Sequence, residues 1–284
     1  MVLSIDELLV LLQEDAPYGD ITTDAVVPDT ECRAEITAKE EGVVAGLWEA
    51  GALFSHFGVT VEQHVRDGAE VHAGAVLMTL DGKAHAILLI ERTSLNLIGH
   101  MSGIATKTRR LVQAARKHCP GARVAATRKT CPGLRGLDKK AVGLGGGDPH
   151  RFSLSDQILI KDNHLALVPL KDAISSAKKA GFSPRIEVEV TTPEEALMAA
   201  KLGAEIIMLD NMTPEKVRET LDTLTVQGER ERCLVELSGG IDEQSIARYA
   251  GCRVDIVSSG AITHSAPFLD VSLSILPAVR SISL

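Results

Sequence analysis

The stretch Thr127–Arg151, TRKTCPGLRGLDKKAVGLGGGDPHR, gathers Arg128, Lys129, Arg135, Lys139, Lys140 and Arg151 with His150, against only Asp138 and Asp148. The whole chain carries a formal charge of −8. A guanidinium is a planar fork that matches carboxylate or phosphate, and an ammonium is a compact charge. Gly145-Gly146-Gly147 can close a helix and turn. They can equally offer backbone N–H groups to an anion that approaches where side chains are missing. His150-Arg151 beside them favours the anion. A local cation cluster in an acidic chain suits a small anionic ligand, whereas nucleic acid requires a basic face.

The remaining reactive residue types stand at the ends of apolar runs. Short strands are predicted near 122–127, 157–160, 185–190, 205–209, 233–237 and 254–258, each followed by a helical stretch. That rhythm makes βα units and a parallel sheet. Six strands rather than eight imply a shortened or open α/β barrel. The runs end in Arg128-Lys129, Lys161, Glu189, Asp210, Ser238-Gly239-Gly240 and Ser259-Gly260. Active sites of α/β barrels lie at that C-terminal end. Cations in register around one mouth repel each other unless an anion joins them. Glu189 and Asp210 add an acidic half, which suits a polyanionic substrate arriving with Mg²⁺ or positive charge developing in the reaction.

The elements ahead of the barrel read differently. Residues 1–15 form an amphipathic helix, and APYGDITT is a turn leading into a Thr-rich segment. Residues 31–85 alternate as short antiparallel strands. Their VRDGAEVHAGAVLMTLDG resembles a biotinyl or lipoyl carrier hammerhead, but Lys83 lies past the last strand of that pattern rather than at a hairpin tip. From Ile87 to about Lys117 the spacing is helical, and Ser102-Gly103 divides it into two helices. Arg92 on this stretch reads as solvated, as do His72, His85 and His100.

Composition bounds the rest. The 284 residues suit one large domain or two ordinary ones, and aromatics at 3% leave an aliphatic core. The N-terminus lacks the basic segment of a signal peptide, and no uninterrupted apolar window reaches membrane-spanning length. Five scattered cysteines without a CxxC pair are expected to be thiols in a reducing cytoplasm.

Taken in order, ERTSLN, SGIAT, TRKTCPGLR, KKAV, GGG, HR, SDQILIKDNH, EVEV, MLDN, SGGI and SSGAITHS resemble the quinolinate phosphoribosyltransferase family, over about Glu14 to Asp270. The resemblance implies an N-terminal α/β sandwich over 1–110, completed by about 266–284, and a seven-stranded open α/β barrel over 111–265. It implies transfer of a phosphoribosyl group from 5-phosphoribosyl-1-pyrophosphate to quinolinate with Mg²⁺, giving nicotinate mononucleotide, pyrophosphate and CO₂. By the same resemblance Arg128, His150 and Arg151 bind the quinolinate carboxylates, with Lys129 and Lys161 adding charge toward the phosphates. Glu189 and Asp210 stand by the ribose and its metal, while Ser238, Gly239 and Gly260 hold the 5-phosphate. Arg92 matches an arginine that reaches into a neighbouring subunit, implying a homodimer with shared sites and leaving a hexamer open. Pro17, Tyr18 and the SSGAITHS segment depart from the family pattern. A homologue encoded with molybdate transporters, acting on another aromatic acid, is therefore an alternative, as is a non-catalytic sensor of an anionic metabolite. The intact Lys161-Asp162-Asn163-His164 favours the transferase.

Overall fold

The computed structural model describes residues 3–277. Its strands are β1 (Glu31–Ala38), β2 (Gly42–Val43), β3 (Thr60–Gln63), β4 (Glu70–Val71), β5 (Val76–Lys83), β6 (Arg123–Ala126), β7 (Ile158–Ile160), β8 (Ile186–Val190), β9 (Ile206–Asp210), β10 (Leu234–Ser238), β11 (Ile256–Ser259) and β12 (Val271–Ile275). Its α-helices are α1 (Ile5–Asp15), α2 (Ile21–Val26), α3 (Leu47–His56), α4 (Ala84–His118), α5 (Arg135–Leu144), α6 (Asp162–Leu165), α7 (Leu170–Ala180), α8 (Pro193–Lys201), α9 (Pro214–Val226) and α10 (Ala261–His264).

Two units result. One holds the described residues up to Lys107, Gly136–Gly145, and the described residues from Ala266 onward. The other holds Thr108–Arg135 and Gly146–Ser265. A single cut near residue 110 does not describe this division, because α5 sits within the first unit. Its ties there are polar. Asp138 is fully buried and lies 2.7 Å from His100 Nε2, while Lys140 Nζ reaches both Glu49 oxygens at 2.8 and 2.9 Å. His100 is thus a paired residue rather than a solvated one.

The first unit is built on an antiparallel sheet in the order β12-β1-β5-β3, so the C-terminal strand completes the N-terminal sheet. Residues 278–284 of the expected completing segment lie outside the described residues. Ser4 and Glu7 form a reciprocal capping box that starts α1, satisfying N–H groups the helix cannot satisfy itself. The Thr-rich segment that closes APYGDITT is helical. It is α2, started by Asp20, whose carboxylate accepts from the Thr22 and Thr23 amides. The sequence reading also lacks α3. Its cap is remote: Asp67 accepts from the Leu47 amide at 3.0 Å. β5 runs through Lys83, which pairs with Asp29 at 2.6 Å, so the lysine closes a strand instead of following one.

α4 is one helix of 35 residues, not two. Ser102 and Gly103 are packing residues. The Ser102 hydroxyl accepts from the Ala45 amide at 2.8 Å and donates to the Ala45 carbonyl at 3.1 Å. A Cβ on Gly103 would lie 1.8 Å from the Pro267 carbonyl oxygen. Helix propensity disfavours both residues, but tertiary contacts require them.

The second unit is the open α/β barrel. Six parallel strands follow the order β6-β11-β10-β9-β8-β7, so the first strand adjoins the last and β6 does not pair with β7. Among the described residues the seventh strand is reduced to a one-residue bridge, Asp148 to Ala125, with hydrogen bonds of 2.7 and 2.9 Å to β6. Val188, Ile207, Leu209, Val235, Leu237 and Val257 are buried, the near-continuous aliphatic pattern of a sheet covered on both faces. No helix among the described residues is long and apolar enough to cross a membrane.

Gly103→Ala should cost about 2–3 kcal/mol in denaturant unfolding, the overpacking penalty of a site with no room. Gly143→Ala on α5, where a Cβ meets nothing within 4 Å, should be neutral or stabilising by up to about 1 kcal/mol. Equal effects of the two would contradict the packing role of Gly103.

Candidate active site

Parallel pairing brings the C-terminal ends of all six barrel strands to one edge, and the polar residues there are joined between neighbours. Between β7 and β8, Lys161 forms an ion pair with Glu189. Between β9 and β10, the amide of Asn211 donates to the Ser238 carbonyl at 3.0 Å. Between β6 and β11, Thr263 Oγ1 donates to the Lys129 carbonyl at 2.7 Å, and a Cβ on Gly260 would lie 3.0 Å from Lys129 Cδ. Glycine at position 260 therefore leaves room for the lysine stem. Lys129 itself is exposed, and its amide donates to Thr127 Oγ1 at 3.1 Å.

The two arginines are half-buried. Arg128 Nε is a buried donor with no hydrogen-bond partner. Arg151 Nη1 donates to the Gln157 carbonyl at 3.2 Å. Burial first, and then the Arg128 charge, lower the Arg151 pKa. Two guanidiniums close enough to repel, one with an unsatisfied buried donor, form a site suited to an anion.

Three buried polar residues below this edge were not singled out from the sequence. Glu187 is 2% exposed and Glu236 is 3% exposed. Gln157 Nε2 donates to Glu187, whose other oxygen is buried without a partner. Burial, then the Glu236 charge, raises the Glu187 pKa to about 8. Burial raises that of Glu236 to about 6. A signal existed, since alternation along IEVEV puts Glu187 on the same face as Glu189. Register then places Glu189, Met208 and Glu236 at one level across three strands.

A cavity of about 660 Å³ opens elsewhere, lined by the strand starts at Arg123, Ile206, Leu234 and Ile256 with Arg185 and His150. Of the candidate residues only His150 borders it. Arg92 lies exposed on α4 in the first unit. The structure thus groups Arg128, Lys129, Lys161, Glu189, Asp210, Ser238, Gly239 and Gly260 by strand end, puts Arg151 in the segment between Asp148 and β7 within reach of the Arg128 charge, and holds Arg92 apart from them in the chain.

Comparison with known proteins divides the chain once, between residues 102 and 104. Residues 20–102 match the N-terminal domain of quinolinate phosphoribosyl transferase, and residues 104–274 match its C-terminal domain. The chain belongs to the quinolinate phosphoribosyltransferase family. The probable nicotinate-nucleotide pyrophosphorylase (carboxylating) of Archaeoglobus fulgidus is 45% identical over 260 residues, 92% of this chain and 99% of that protein. The nicotinate-nucleotide pyrophosphorylase (carboxylating) of Mycobacterium leprae is 40% identical over 93% of this chain and 94% of that one. The solved structure of NadC from Streptococcus pyogenes is 37% identical with a TM-score of 0.89, covering 98% of this chain and 100% of that chain. Within this family framework, the buried Glu187–Gln157 pair is part of the chain's own support beneath the strand-end residues.

The raised Glu187 pKa has a definite sign in stability. The folded state holds the proton up to pH about 8, whereas the unfolded chain releases it from about 4.5. Stability from this group is therefore lost as pH rises between those values. Glu187→Gln keeps an acceptor for Gln157 and removes the titration. It should gain stability relative to the parent more at pH 8 than at pH 5 in denaturant unfolding. The same difference at both pH values would contradict a buried, protonated Glu187.

Proposed function

We infer that this protein transfers the phosphoribosyl group of 5-phosphoribosyl-1-pyrophosphate to quinolinate with loss of CO₂, forming nicotinate mononucleotide for NAD biosynthesis. The observation that carries this reading is the unsatisfied Arg128 Nε beside a desolvated Arg151, within a chain of the family named above. A carboxylate supplies the missing acceptor and relieves the repulsion of the two cations at once.

The chemistry follows from charge. Quinolinate has two carboxylates and its co-substrate several phosphate charges, so Arg128, His150, Arg151, Lys129 and Lys161 offset their mutual repulsion. Cleavage of the bond from C1 to pyrophosphate develops positive charge on the ribose, and Glu189 and Asp210 are the acids assigned to stabilise it. The ring nitrogen then takes C1 and becomes cationic, which lets C2 keep the electron pair as CO₂ departs and accept a proton. Ser238, Gly239 and Gly260 are assigned to the 5-phosphate. Positioning and fixed charge supply most of the rate enhancement.

The residues present fit Mg²⁺. Among the described residues no cluster of three His, Cys, Asp or Glu forms a cage, and Mg²⁺ is commonly held by one or two carboxylates together with water and substrate phosphates. Glu189 and Asp210 would hold it, directly or through water, and it would neutralise charge on the departing pyrophosphate. We assign a homodimer in which Arg92 completes the partner's site, with no role for nucleic acid or membrane. A cytoplasmic setting suits Cys32, Cys119, Cys233 and Cys252, which are unpaired thiols. The molybdate-associated alternative gains no support from the named relatives.

Purified protein with quinolinate, phosphoribosyl pyrophosphate and Mg²⁺ should yield nicotinate mononucleotide, and chelation of Mg²⁺ should abolish the yield reversibly. Turnover of a different pyridine acid in place of quinolinate would overturn the substrate assignment. Arg128→Ala and Arg151→Ala should each weaken quinolinate binding by about 2–4 kcal/mol, or roughly 30- to 1,000-fold. Parent affinity in both variants by calorimetry would reject those roles. Mixing Arg92→Ala protomers with Lys161→Ala protomers should restore part of the activity, since mixed dimers hold one intact site. Proven subunit exchange without recovery would reject a shared site.

A further inference from the structure

Asn211 is the one non-glycine residue with positive φ among the described residues, at 51°. Left-handed backbone is costly for most side chains and least so for Asn, Asp and Gly. Such a conformation persists where surrounding contacts hold it, and three contacts converge here. The Asn211 amide donates to the Ser238 carbonyl at 3.0 Å. Asn211 Nδ2 donates to Asp210 Oδ2 at 2.8 Å. Asn211 Oδ1 and Cγ lie over Gly239, where an added Cβ would fall 2.4 and 2.5 Å from them. Gly239 itself has φ of 97°, so both its conformation and its missing side chain are required.

We propose that Asn211 is a positioning residue that couples the Asp210 carboxylate to the Ser238–Gly239 turn, setting the span between the acid at the ribose and the loop at the 5-phosphate. The side-chain amide reaches both groups, with its nitrogen on the carboxylate and its oxygen above the glycine. Donation to Oδ2 fixes the carboxylate rotamer and leaves Oδ1 open to ribose or metal. The main-chain N–H ties the ends of β9 and β10 at the level where Ser238 pairs with Asp210. One residue thereby fixes two contacts to a single substrate, phosphoribosyl pyrophosphate. Quinolinate meets other residues, on the β6 and β7 sides. This inference rests on the proposed transferase reading.

The discriminating variant is Asn211→Gly, which keeps the left-handed backbone and deletes the side chain. With Mg²⁺ present and quinolinate absent, calorimetry should show phosphoribosyl pyrophosphate binding weakened about tenfold, the loss of one charge-assisted hydrogen bond. Its KM should rise by a similar factor, while the quinolinate KM stays within twofold of the parent. Asn211→Asp tolerates the same backbone but places a second negative charge beside Asp210. It should bind more weakly than Asn211→Gly, and it carries the test should the glycine variant fail to fold. Phosphoribosyl pyrophosphate affinity within twofold of the parent in a folded variant would overturn the proposal. So would equal losses for both substrates, which a general structural role predicts. A parent protein that makes no nicotinate mononucleotide would instead overturn the transferase reading itself.

Discussion

Parallel hydrogen-bond register is the constraint on which the site depends. Each barrel strand is only three to five residues long, so the first polar residue after each apolar run falls at nearly the same height. Ser238 pairs with Asp210 and Ser259 with Ala126, one or two residues before Gly239, Asn211, Gly260 and Arg128. Backbone pairing alone therefore assembles cations, acids and glycines contributed by segments more than a hundred residues apart. A register slip of one residue would turn every one of them to the other face.

Electrostatics then decides what that edge can do. Lys161 has its counter-ion in Glu189, so its charge is balanced before substrate arrives. Arg128 and Arg151 are close enough to repel instead, a repulsion that an anion would relieve. The layer below answers the opposite problem. Carboxyls at Glu187 and Glu236 are removed from water, and a protonated acid at Glu187 is the cheaper state beside Glu236. The site is thus cationic at its open edge and holds acids with raised pKa values beneath it.

The first unit is held by its own contacts between residues distant in sequence. α4 stays continuous through Ser102 and Gly103 because Ala45 and Pro267 fill the space that larger residues would occupy. α5, which directly follows the loop bearing Arg128 and Lys129, is fixed by the buried Asp138 against His100 and by Lys140 against Glu49.

The sequence alone determined the α/β class, the open parallel barrel, the strand-end positions of the candidate residues and the likeness to the transferase family. Those features rest on local periodicity and on short ordered motifs, which a linear reading can see. It named no helix at α2, although Asp20 is a local cap, and it missed α3 and the continuity of α4 because the Asp67, Ala45 and Pro267 contacts come from remote segments. It counted six strands from periodicity, while the family likeness asked for a seventh. Only tertiary pairing exposed the one-residue bridge at Asp148 that stands in its place. It passed over Glu187, Glu236 and Gln157, since alternation along IEVEV gives the face of Glu187 but its burial shows only once the neighbouring strands are in register. The left-handed Asn211 against Gly239 was equally hidden, because a backbone angle and the space for a missing Cβ exist only once two loops have met.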